Sequence, residues 1–119
     1  MRGVLYMIKL SNSIKVLVPE TNNDGVKVDL SSEISAAVKV IGGATTYTAR
    51  GSWVEKDKLY TDSIDVVQFN CDEFDKDTTR AISDLIRAIF IKAEQLAVSV
   101  EINGTLYVLD SIDDIEKLF

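Results

Sequence analysis

The hydrophobic period of this chain switches repeatedly between two and about three and a half residues, and that switching constrains the fold more than any single residue. Ile14, Val16 and Val18 alternate with Lys15 and Leu17 from Ser13, a half-buried strand ended by Pro19. After a loop of turn residues, Glu20 to Gly25, the apolar positions Ile34, Ala37, Val38 and Ile41 share one helical face. Ser31 is placed to cap that helix, and Gly42-Gly43 to stop it, because glycine takes the left-handed conformation a helix end often needs. Thr45 to Val54 reads as a second strand and Ser63 to Asn70 as a third. The charged turn Glu55 to Lys58 lies between them, and the two strands make a hairpin. A long helix opens at Asp77 or a neighbour and buries Ile82, Leu85, Ile86, Ile89 and Phe90. Val98, Val100 and Ile102 then alternate with Ser99 and Glu101. Asn103-Gly104 signals a hairpin, Leu106 and Val108 return, and Ser111 to Asp114 caps a short terminal helix through Leu118.

The order β-α-β-β-α-β-β-α predicts an α+β, two-layer fold. A mostly antiparallel sheet carries both main helices on one face. The other face stays open, so a homodimer or higher homo-oligomer is expected. The 119 residues fit one domain, with residues 1–6 a frayed amino-terminal extension and Met7 an alternative start.

Composition narrows the chemistry. Cys71 is the only cysteine, so no internal disulfide can form, which points to a reducing compartment. No apolar run approaches the roughly 20 residues of a membrane span, so no membrane role is expected. Thirteen basic against nineteen acidic residues leave a net charge of −6, with only four arginines, which argues against DNA or RNA. There is no histidine. That removes the usual neutral-pH base, the Ser-His and Cys-His systems and most zinc sites. The expectation is a protein that is not an enzyme, with no catalytic residue, metal or cofactor.

Candidate ligand residues follow from strand alternation. Thr46, Thr48, Arg50 and Ser52 share one face of the second strand: hydroxyls around a guanidinium, suited to a phosphate or ribose, or else a solvated row. Trp53 and Phe69 offer rings for a purine, or belong to the core. Cys71 to Asp77 holds four carboxylates without the turn glycine of a calcium loop, so the acids read as helix-start residues and Cys71 as inert. Arg80 and Arg87 share one helix face.

The run Val16 to Thr21, the helix, Gly42-Gly43-Ala44-Thr45 and Gly51-Ser52-Trp53 together resemble a group of small phage-encoded proteins. Asp65-Val66-Val67, the long helix and the hairpin Ala97 to Gly104 extend the resemblance over most of the chain. Within that group the chain resembles the first type of Thoeris anti-defence protein. The resemblance implies a sponge: a phage protein that binds a cyclic ADP-ribose isomer immune signal at a subunit contact and sequesters it uncleaved. Arg50, Arg87 and Phe69 would be the ligand-binding residues by their chemistry, with Thr46, Thr48 and Asn70 as polar support. Two other classes stay open. One is a protein–protein interaction module with no small-molecule ligand. The other is a small carboxylate-dependent enzyme acting on a nucleotide, marked by acids converging in a cleft.

Overall fold

The computed structural model describes residues 7–119; the extension expected over residues 1–6 lies outside the described residues. Strand β1 is Asn12–Pro19, helix α1 Ser31–Ile41, β2 Thr45–Glu55, β3 Lys58–Cys71, α2 Lys76–Lys92, β4 Val98–Ile102 and β5 Thr105–Leu109, and a 3₁₀ helix closes the chain at Ile112–Lys117. The α+β order predicted from periodicity is the order found. The strands form one five-stranded antiparallel sheet, β2-β3-β1-β4-β5.

Burial explains why this order closes. Val16 of β1 stands opposite Val67 of β3 and Val100 of β4, and all three are fully buried. Ile14, Phe69 and Val98 extend the same face, which packs against Ile82, Leu85, Ile86 and Ile89 of α2 and Ala37 of α1. Burying each such side chain contributes about 1.5–3 kcal/mol. The opposite face carries Lys15, Leu17, Tyr47, Val66, Gln68 and Glu101, which alternate with the core positions along their strands.

Four local details differ from the sequence reading. Ser31 does not cap α1: Leu30 occupies the cap position without a side-chain bond, and the Ser31 hydroxyl donates to Asp29 Oδ1 at 2.6 Å. Asp75, not Asp77, caps α2 by accepting from the Thr78 amide at 2.8 Å. The terminal helix is 3₁₀ rather than α. Strand β3 starts at Lys58, five residues earlier than expected, because Lys58 to Asp62 continue the ladder against Gly51 to Glu55. Lys56 and Asp57 alone make the turn, both at positive φ. Fourteen residues of β3 span about 46 Å at 3.3 Å each, so the hairpin lies along the 61 Å axis of a molecule only 29 and 26 Å in the other two directions.

Two predicted glycine positions hold. Gly42 ends α1 at φ +112°, its N–H donating to the Val38 carbonyl. Asn103 and Gly104, at φ +50° and +86°, form the β4–β5 turn.

Candidate active site at the free edge of β3

The pairing offset between β2 and β3 creates a site. Strand β2 begins at Thr45, opposite Gln68, whereas β3 runs on to Cys71. Phe69, Asn70 and Cys71 therefore keep β1 on one side and have no strand on the other. The Gly42-Gly43-Ala44 link from α1 and the first turn of α2 close around that free edge. The resulting cavity is about 570 Å³, lined by Gln68, Asn70, Asp72, Glu73, Asp75 and Thr78 among others, and no lysine or arginine lines it. That volume lies inside the roughly 300–1,000 Å³ range of small-molecule pockets.

The acidic loop between β3 and α2 is held in place. Asn103 Nδ2 donates to Asn12 Oδ1 at 2.9 Å, and Asn12 Nδ2 donates to the Asp72 carbonyl at 2.8 Å. The β4–β5 turn thus fixes the position of Asp72 through β1. Asp75 is committed to Thr78, and the hydrogen bonds from Thr78 hold its carboxyl below the usual carboxylate range. Asp72 and Glu73 accept no side-chain hydrogen bond among the described residues, so their carboxylates are available to a ligand. Burial, reinforced by Asp75 and Asp72, pushes the Cys71 thiol up, so it stays protonated and unreactive.

A second polar group lies on the sheet face opposite the helices. Lys15 Nζ sits 3.3 Å from Glu101 Oε2. The Glu101 hydrogen bond, with a further one from Tyr47, raises the lysine above its ordinary value. Lys15 therefore carries its positive charge at neutral pH.

The six ligand residues expected from sequence do not meet at one point. Thr46, Thr48 and Arg50 share a row on the helix-side face of β2, where the Thr48 hydroxyl contacts Asp65 Oδ1 at 3.4 Å and Arg50 stands opposite Ser63. Phe69 is fully buried in the core, so its ring is not free for stacking. Arg87 lies on α2 and pairs with Asp84 at 3.2 Å, beside the terminal helix. Asn70 alone of the six lines the β3-edge cavity. Trp53 stacks on Tyr60, 5.5 Å between centroids, and stays 45% exposed, outside the β3-edge cavity. Gln68, Asp72 and Glu73 also line the cavity but carry no distinct site signal in the sequence. The acids form a cluster with the pattern of helix-start charges, the role Asp75 fills.

No protein-family model matches the chain, and no curated protein does. Two solved structures share its fold. One is a phage SAM lyase in complex with S-methyl-5'-thioadenosine, with TM-score 0.63 and 18% identity over 90% of this chain and 97% of that one. The other is a phage SAM lyase in the apo state, with TM-score 0.62, 17% identity and the same coverage. This likeness overturns the resemblance to the first type of Thoeris anti-defence protein. The short Gly-Gly-Thr and Gly-Ser-Trp motifs that carried it belong to a helix stop and a hairpin strand, which many α+β folds require. The sponge function, the interaction module set beside it, the cyclic ADP-ribose partner and the expectation of a non-enzyme fall with it. Among the described residues no helix is long and apolar enough to cross a membrane. The chain has the fold of the phage SAM lyases.

Proposed function

We propose that this chain binds S-adenosylmethionine (SAM) in the β3-edge cavity and cleaves it, as a lyase, to S-methyl-5'-thioadenosine. The observation that carries the reading is the charge of the cavity: Asp72, Glu73 and Asp75 line it without a single cationic side chain. The sulfonium and ammonium groups of SAM are both positive, and the exposed carboxylates that line the cavity attract them. The net charge of −6 favours the approach of a cationic ligand. The shared fold with phage SAM lyases supports the same assignment.

The chemistry asks for little that the chain lacks. The bond from sulfur to the four-carbon amino-acid fragment breaks, its electron pair stays on sulfur, and the sulfonium becomes a neutral thioether. The fragment closes its valence either by losing the adjacent proton to a base or by ring closure of its own carboxylate. Asp72 or Glu73 serves the first route as general base, and histidine is not needed for either. Positive charge disappears as the bond breaks, so excluding water from the cavity speeds the step. The carboxylate-dependent nucleotide enzyme left open by the sequence is thus the class that this geometry favours. Its place of action on this reading is the host cytoplasm, where a lone, unpaired Cys71 stays reduced and SAM serves as methyl donor.

Incubation of the purified chain with SAM, followed by chromatography, tests the proposal. Accumulation of methylthioadenosine supports it; SAM left intact at micromolar protein rejects it.

A further inference from the structure

Gln68 and Asn70 lie two positions apart on β3, so their side chains share a face, and both are half-buried and line the cavity. Gln68 Nε2 donates to Asn70 Oδ1 at 3.2 Å. A carboxamide offers one acceptor oxygen and one two-donor nitrogen. Joined in this way, the pair uses one donor and one acceptor internally. Gln68 Oε1, an acceptor, and Asn70 Nδ2, a donor, remain on the linked pair, and neither makes another side-chain hydrogen bond among the described residues.

Adenine carries the complement of this pair. Its 6-amino group donates beside a ring nitrogen that accepts, the pattern that Asn and Gln side chains read in nucleic acids. We infer that the Gln68–Asn70 carboxamide pair reads the edge of adenine, with the 6-amino group on Gln68 Oε1 and the ring nitrogen on Asn70 Nδ2. The inference rests on the SAM reading of the cavity and makes this pair its base-specificity element. The acids hold the cationic groups of the ligand and the carboxamides the base.

The test uses methylthioadenosine and its analogue with hydrogen in place of the 6-amino group, titrated calorimetrically into the full chain. Removing the amino group deletes one donor without adding bulk. The wild type is expected to bind the analogue about tenfold more weakly, the size of one lost hydrogen bond to a half-buried acceptor. Gln68→Leu is expected to bind both ligands equally, since the acceptor is gone; Asn70→Ser, which keeps the strand intact, is expected to weaken both while retaining the preference. Equal binding of the two ligands by the wild type overturns the inference, as does a preference that survives in Gln68→Leu or an absence of binding to either ligand. SAM cleavage by the wild type is scored separately, so the lyase reading can stand while this assignment falls.

Discussion

The Asp75 carboxylate accepts the Thr78 backbone N–H at 2.8 Å, so the contact that starts α2 also fixes one wall of the acid-lined cavity. Helix start and ligand site are one local structure, and several consequences can be measured.

Replacing Asp75 with alanine removes the cap of α2. The melting temperature is expected to fall by about 5 °C, while Asp75→Asn, which keeps an accepting oxygen, loses less than half of that. Thermal unfolding followed by circular dichroism reads both variants. An unchanged melting temperature for the alanine variant contradicts the capping role.

Acid stability follows from the same kind of contact. Asp29, Asp75 and Asp114 are all held below the ordinary value of 3.8, by Ser31, Thr78 and Lys117 respectively. A depressed carboxyl stabilises the fold fully above its unfolded pKa, and that contribution is lost as the pH falls through the folded value. Melting temperature is therefore expected to hold down to about pH 4 and to drop below it. At the other extreme, Lys15 and Lys117 are raised above 10.5, so their contribution is present below that value and lost as the pH climbs past it. Melting curves across these two windows check the signs.

Phe69 is expected to act through the core, not through a ligand. Phe69→Ala should cost about 3–5 kcal/mol, the usual range for a buried aromatic, and Phe69→Leu clearly less. Denaturant titration measures both. A Phe69→Ala protein as stable as the wild type contradicts the placement.

Arg87 is engaged with Asp84 on the exposed side of α2, outside the β3-edge cavity. Arg87→Gln is expected to leave SAM cleavage within about twofold of the wild type, as suits a solvent-exposed ion pair. A loss of a hundredfold would move the site to the α2 surface.

The fold was legible because the alternation of Ile14, Val16 and Val18 and the helical spacing of Ile82, Leu85, Ile86 and Ile89 are enforced by one buried layer. The Gly42 stop and the Asn103-Gly104 turn were legible because positive φ demands those residue types. The early start of β3 was not, since Lys58 and Asp62 suit a turn as readily as the exposed end of a long hairpin. The cap of α2 was ambiguous, because four acids in seven residues offer several equivalent starts. The cavity itself had no local signal. It arises from β2 pairing that begins only at Thr45 opposite Gln68, a register fixed by long-range contacts, and it joins Gly42 to Glu73 across a gap of thirty residues. Short motifs such as Gly42-Gly43-Ala44-Thr45 misled for a related reason: they encode turn geometry, and turn geometry is common to proteins of unrelated function.

Cleavage of SAM in the acid-lined cavity is decided by one side-by-side rate measurement. Wild type and the double variant Asp72→Asn, Glu73→Gln would be incubated with SAM, and methylthioadenosine would be quantified over time by mass spectrometry. Steady production by the wild type and a loss of at least about a hundredfold in the variant are expected, the scale of a removed general base and cation partner. Melting temperatures of the two proteins should agree, since neither acid supports a helix cap. Absence of product from the wild type, or equal rates from both proteins, would contradict cleavage in this cavity.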